Sequence, residues 1–342
     1  MTNGDKNESE KKVNALREGV STGTILAVFS IVGLVLLGAG FALVLMTDPA
    51  QDKTIQASYK NLAKKRVTES PFPKELSAVF RRRKDRWFAN GPVKNEDLEL
   101  LSKKHTIDAL EVNYSDLTYK GLKSLVRQPI YTIMLSGSRV TDEEMDVFSQ
   151  IQTLRNLHIY DSTSPITDAT VGHLTGPKQL RELTLRGTQI TSLGVESLRK
   201  RFPEIINIDF MYSKTIDDQC AKSLSKFSKL YMVNVGFTGI TAAGVVELSK
   251  LKQLQNLHAA GIGITGGAVK EIAKSKTIRQ LNISDSQINN ESLNELSKMP
   301  MLSSLQIGNC RLVTKDAIEA FKRKRPECKV QTFIRMEAKN DD

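Results

Sequence analysis

The sequence predicts an α/β solenoid: an arc of stacked repeats with a parallel sheet on its concave face and short helices on its convex face, preceded by a single transmembrane helix. Three observations carry this reading. Apolar residues recur at relative positions 1, 4, 6, 11, 16 and 19 of a unit about 24 residues long. A run from Thr24 to Met46 carries no charge. Only three cysteines are present, Cys220, Cys310 and Cys328, at irregular spacing, so no disulfide framework or CxxC pair supports the fold and it must stand on its core.

Composition agrees with a folded chain. Of 342 residues, 40% are hydrophobic and 25% charged, which removes disorder as the default for the bulk of the molecule. The formal net charge of +11 favours anionic surfaces without locating them. The chain divides into a polar tail (1–21), the transmembrane helix (22–46), a basic juxtamembrane linker (47–82), the repeat domain with its caps (83–335) and a charged tail (336–342).

The uncharged run would make about 34 Å of helix at ~1.5 Å per residue, enough for a hydrocarbon core of about 30 Å. It exceeds the roughly 7–15 apolar residues of a cleaved signal peptide and gives way to Met46-Thr47-Asp48-Pro49, so an uncleaved signal-anchor is expected. Bases flank it on both sides, Lys6, Lys11, Lys12 and Arg17 before it and Lys53 to Arg66 after it, so the positive-inside rule is nearly balanced. The short tail is assigned to the cytoplasm and the repeats to the far side, in a cell envelope. In the linker, Lys60 to Arg86 holds ten Lys or Arg against Glu69, Glu75 and Asp85, densest at Arg81-Arg82-Arg83-Lys84. Contact with anionic lipid is one reading of this run; a solvated spacer is the other.

The repeats begin Ile107, Leu110, Val112, Leu117, Leu122, Leu125 and are clearest at Leu180, Leu183, Leu185, Ile190, Val195, Leu198. Positions 4 and 6 alternate with polar neighbours as in a half-buried strand. Positions 16 and 19 share one face of a short helix. Six buried apolar side chains contribute ~9–18 kcal/mol at about 1.5–3 each. Ordering one unit's backbone costs more than that, at ~1–2 kcal/mol per residue. A single unit is therefore unstable, and stability belongs to the stack.

This pattern resembles the leucine-rich-repeat family, LxxLxL followed by a turn. Its tail, as in Ile190-Thr191-Ser192-Leu193-Gly194-Val195, is similar to the "IT-x-x-GL" subclass found in F-box-type adaptors and in many bacterial envelope proteins. The resemblance covers about residues 83 to 335. It implies a buried polar column at position 9, where family members usually place Asn or Cys. Here the column reads Ser115, Ser138, Ser162, Thr188, Ser213, Thr238, Ile262, Ser286, Cys310. Hydroxyls can bond the neighbouring backbone over a shorter reach, and Ile262 should leave a gap. Trp87 and Phe88 would cover the first full repeat, and Cys328 to Ile334 would be a last strand without its helix.

Several motifs point elsewhere and are explained by the repeat. Gly261-Ile262-Gly263-Ile264-Thr265-Gly266 matches GxGxxG, with Asp285 at the expected distance. The same strand–turn–helix spacing recurs in units without the glycines, so no dinucleotide cofactor is expected. His105, His158, His173 and His258 form no HExxH and sit beside no cysteine at ligand spacing, so no metal is expected. No P-loop or nucleophile elbow occurs. No catalysis is expected.

A partner would meet the concave side chains at positions 3, 5, 7 and 8. Position 5 reads Glu111, Met134, His158, Thr184, Asp209, Asn234, His258, Asn282, Gln306, a polar strip of mixed sign. Tyr, Arg and Met, types enriched at interface centres, gather near its middle. The candidate partner-binding residues are His158, Tyr160, Arg186, Asp209, Met211, Tyr212, Tyr231 and Met232. Bases on this face are offset by acids, which argues against nucleic acid. The expected function is a membrane-anchored recognition module for a protein or peptide. The alternatives are a static spacer of the cell envelope, or an intracellular adaptor like the F-box relatives.

Overall fold

The computed structural model describes residues 79–332, apart from 85, 116 and 161–165. The expected transmembrane helix at 22–46, nearly all of the linker and the charged tail lie outside the described residues. Among those described, no helix is long and apolar enough to cross a membrane.

Twelve strands form one sheet in sequence order. They are β1 (Arg81–Arg83), β2 (Arg86–Asn90), β3 (Ala109–Asn113), β4 (Thr132–Ser136), β5 (Asn156–Tyr160), β6 (Glu182–Leu185), β7 (Asn207–Asp209), β8 (Met232–Asn234), β9 (Asn256–His258), β10 (Gln280–Asn282), β11 (Ser304–Gln306) and β12 (Lys329–Gln331). From β2 onward all neighbours pair in parallel, and a helix returns the chain between each pair. This is a solenoid-like α/β arrangement. Parallel neighbours need such a crossover, because a tight hairpin cannot join them.

The register explains why a constant period works. Leu110, Ile133, Leu157, Leu183, Ile208, Val233, Leu257, Leu281 and Leu305 pair directly with one another along the sheet. Each repeat therefore sets its position-4 side chain against the next. All nine are buried, as are all nine position-1 residues from Ile107 to Leu302.

Helix starts are set by local polar chemistry. Thr191 and Thr241 cap their helices by accepting from the backbone N–H groups of Leu193 and Ala243. Their own N–H groups donate to Asp168 and Asp218 of the preceding repeat, each at 2.8 Å. A Cβ on Gly194 or Gly244 would collide with that same carboxylate. The Thr and the Gly of the IT-x-x-G tail are thus two halves of one inter-repeat contact.

The described members of the position-9 column, all but Ser162, lie buried in the turns. Ser115 accepts from the Val93 N–H at 2.8 Å and donates to the Gly91 carbonyl. Ser213 accepts from the Thr188 N–H at 3.0 Å. Ser286 reaches the Ile262 carbonyl at 3.0 Å, so beyond the apolar Ile262 side chain the column resumes from the next repeat. Cys220, Cys310 and Cys328 are all buried and reduced, and burial pushes their thiols up, to about 12 and about 11 for Cys220 and Cys328.

The front of the stack differs in detail from the sequence expectation. Trp87 and Phe88 lie within strand β2, which covers the first full repeat as its parallel neighbour, paired with Leu110 and Glu111 of β3. Arg81 to Arg83, assigned in part to the linker, form β1, antiparallel to β2. Arg82 lies over the Trp87 ring at 5.6 Å and Arg83 over Phe88 at 5.7 Å. Three arginines on an end strand also discourage pairing with a foreign strand.

Candidate functional site on the sheet face

Position 5 forms a continuous row across the sheet. His158, Thr184, Asp209, Asn234 and His258 are successive register partners on β5 to β9. Position 7 runs beside it as Tyr160, Arg186 and Met211. The two rows meet in a polar network.

Asp209 is its hub. The Oδ2 atom accepts from Arg186 Nε at 3.0 Å and NH2 at 2.7 Å, and from Asn234 Nδ2 at 3.1 Å. The Oδ1 atom accepts from the Met211 backbone N–H at 2.9 Å. The Asp209 side chain is 6% exposed and that of Arg186 13%. On its other side the Arg186 guanidinium lies over the Tyr160 ring, 4.8 Å from the centroid. Tyr160 in turn stacks on His158 at 6.1 Å and 10°. His158 Nδ1 is 2.9 Å from Thr184 Oγ1, and Nε2 is 3.6 Å from Glu182.

Burial sets the protonation states. It lowers the His158 pKa from 6.5 to about 4, against the opposing charge of Asp209 and with help from Arg86 and Arg186. His258 is lowered by the same cause. Burial raises the Tyr160 hydroxyl and the Glu182 carboxyl. Both imidazoles are therefore neutral at pH 7.

Four of the eight sequence candidates, His158, Tyr160, Arg186 and Asp209, join in this network. Met211 was expected to be exposed and is only 2% exposed; its backbone holds Asp209, and its sulfur lies 3.8 Å from Asn234 Nδ2. Tyr212 was expected on the sheet face. It follows the end of β7 in the left-handed region (φ 67°) and stacks on Phe237 of the next repeat at 5.4 Å. Its column, position 8, is left-handed at every described copy, including Tyr114, Gly137, Gly187, Gly261, Asp285 and Asn309. Position 8 thus belongs to the turn edge. Tyr231, 41% exposed, and the half-buried Met232 stand at the start of β8.

Sequence reasoning did not single out Thr184, Asn234 or the position-3 asparagines. Asn234 and Asn282 accept from the backbone N–H two residues on, at 3.1 and 3.0 Å, as Asp209 does. These side chains end their strands by mimicking a turn. Asn207 and Asn256 flank Met232 in register, and each has a buried Oδ1 without a hydrogen-bond partner. The signal for Asn234 was the polar position-5 row itself.

Among the described residues, no group of three or more His, Cys, Asp or Glu is placed to hold a metal ion. His158 and His258 stand four strands apart, roughly 19 Å at ~4.8 Å per strand. Gly261 of the GxGxxG stretch is required by the left-handed turn (φ 69°) and by the Phe237 ring beside it. No family model matches this chain, and no curated protein matches it.

Proposed function

We propose that this chain is a leucine-rich-repeat protein of the IT-x-x-GL subclass, anchored by residues 22–46, whose sheet face binds a protein or peptide partner without catalysis. The observation that carries the reading is the Tyr160–Arg186–Asp209 arrangement. A parallel sheet does not need it. A buried ion pair is often no more stabilising than an apolar pair of the same volume, and the other repeats fold with Glu, Met, His, Thr, Asn or Gln at position 5. Its position beside an exposed tyrosine suits a surface that recognises another macromolecule. The lysine-poor, mixed-sign row supports a protein or peptide over nucleic acid.

Alanine at Tyr160 and Tyr231 together tests this. Both substitutions spare the Arg186–Asp209 pair. A partner co-purifying with the wild-type chain from native membranes should be lost from the double variant while the unfolding midpoint stays near wild type. A partner retained unchanged would remove the site. One observation favours a static spacer: Asp209 and Asn234 also satisfy backbone groups of their own turns. In that case no partner depends on either tyrosine. A reporter enzyme active only outside the cytoplasm, fused at the C-terminus, tests the orientation. Activity supports repeats outside, and its absence with a cytoplasmic reporter active supports the adaptor-like topology.

A further inference from the structure

The parallel topology sorts the connecting segments onto two edges. One edge carries the returns from helix to strand. A backbone ladder runs along it: the N–H of Arg155 donates to the Tyr131 carbonyl, Arg181 to Arg155, Ile206 to Arg181, Tyr231 to Ile206, Gln255 to Tyr231 and Arg279 to Gln255. The other edge carries the turns from strand to helix, with the left-handed position-8 column.

Charge is divided unequally between these edges. Counted from the last residue of each helix up to the next strand, the ten returns between β2 and β12 hold 17 Lys or Arg against Asp108, Glu204 and Glu327. Counted from the end of each strand through the first helical residue, the ten opposite turns hold six bases against seven acids. All but Arg181 and Arg325 of the 17 bases are exposed. Helix dipoles attract bases to C-termini and acids to N-termini, and first turns do carry acids: Glu96, Asp97, Asp142, Glu143, Glu144, Asp168, Asp218, Glu291 and Asp316. The dipoles reach only the last turn, so they do not explain bases well past the helix ends, such as Lys178, Lys229, Lys276 and Arg279.

Some of this charge is locally neutralised. Lys250 and Lys274 pair with Glu247 and Glu271 of their own helices, and Lys229 with Glu204. Lys178, Lys226, Lys252 and Lys276 make no ion pair with a described residue. Between two returns a recess of about 330 Å³ sets Lys250, Lys252, Lys274 and Lys276 against the one acid Glu271, over Val246 and Leu251. Of the five large apolar side chains exposed among the described residues, only Tyr231 and Met301 fall on this edge, as suits a surface that meets charge without entering a hydrocarbon layer.

We propose that the helix-to-strand edge docks on an anionic lipid surface, so that the repeats lie edge-down on the membrane. The choice of lipid rests on the anchored reading above: the uncharged run at 24–46 and the bases between Lys60 and Arg83 lie in the chain leading into the sheet. Basic side chains are drawn to anionic headgroups within a Debye length of about 8–10 Å. Docking on this edge leaves the network around Asp209 clear for a partner, with Tyr231 standing where the edge meets the face.

The test uses the full chain in vesicles of phosphatidylcholine alone, or with about one third phosphatidylglycerol. A donor dye is placed on Gln253→Cys, on the basic edge, or on Gln189→Cys, on the opposite edge; both glutamines are exposed. The three native cysteines are buried, so the dye goes to the introduced one. Energy transfer to a headgroup acceptor should be several-fold greater from position 253 than from 189 in anionic vesicles. It should fall to the neutral-vesicle value in high salt and in the combined variant Lys178→Gln, Lys226→Gln, Lys252→Gln, Lys276→Gln. Equal transfer from both edges, or insensitivity to lipid charge, overturns the proposal. So does a lysine-dependent preference for a single-stranded polynucleotide over the anionic vesicles, which assigns the edge to nucleic acid. Co-flotation separates the two readings. Salt-sensitive flotation with anionic vesicles alone removes the anchor and keeps the edge; salt-resistant flotation with both, without edge preference, keeps the anchor and removes the edge.

Discussion

The ring of Phe237 occupies the space into which a Cβ on Gly261 would project. Both residues stand at position 8 of neighbouring repeats, at φ 56° and 69°. Tyr212 stacks on Phe237 from the other side, so an aromatic pair in left-handed turns ends on a glycine. Gly261→Ala is expected to cost about 1–2 kcal/mol for the backbone and a further ~1–3 for overpacking. Gly263, next in the same motif, has open space around it, and Gly263→Ala should stay within about 0.5 kcal/mol of wild type. Urea midpoints of the two variants check this. Equal effects would remove the packing explanation of the motif.

Removing Arg186 should do more harm than removing the pair. Arg186→Ala leaves a buried carboxylate with Asn234 and one backbone N–H as its remaining donors, and a loss of about 3–5 kcal/mol is expected. Arg186→Met combined with Asp209→Asn keeps an acceptor for the Met211 N–H while deleting both charges. It should recover most of that loss in chemical unfolding. A double variant as unstable as Arg186→Ala would show that the charge itself holds the face together.

Acid should weaken the fold before most carboxylates titrate. His158 stays neutral in the folded chain down to about pH 4, whereas an unfolded histidine protonates near 6.5. Between those values the unfolded state holds the extra proton, so stability is lost as pH falls through the window. At ~1.4 kcal/mol per pH unit the loss is on the order of 3 kcal/mol. His158→Gln should flatten this part of the stability profile, leaving a smaller slope from His258, whose shift has the same direction. An unchanged slope would move the pH dependence elsewhere.

The turn column gives a contrast within one residue type. Ser213 accepts from the Thr188 N–H inside the stack, and Ser213→Ala should cost about 1–3 kcal/mol because that N–H is left buried without a partner. Ser303, whose hydroxyl also bonds backbone but from an exposed return, should tolerate alanine within about 0.5 kcal/mol. Paired thermal melts distinguish the two sites.

Much of this architecture is legible in the sequence because the period is constant and parallel register converts it into columns. Positions 1, 4, 5 and 9 stand out as rows in the sequence alone. Position 8 could not be placed, because Tyr114, Tyr212 and Phe237 are not residues that advertise a left-handed turn. The clue lay in their column mates Gly137, Gly187, Gly261 and Asn309. Met211 looked exposed because its strand parity matches Tyr160 and Arg186, yet β7 ends at Asp209 and the following turn buries it. Arg81 to Arg83 gave no strand signal, since three consecutive bases do not alternate. Their conformation comes from pairing with β2. Of the candidate site, the ion pair and its aromatic cover were foreseeable as neighbours, but the convergence of four donors on one carboxylate was not.

The most direct measurement of partner binding on the sheet face is site-specific photo-cross-linking in native membranes. One probe replaces Met232, on the sheet face between Asn207 and Asn256; a control replaces Leu193, 75% exposed at a helix start. The expected result is a discrete cross-linked species from position 232, absent from 193 and lost when Tyr160 and Tyr231 are alanine. Cross-links from 193 alone, or a 232 adduct indifferent to those tyrosines, would contradict it.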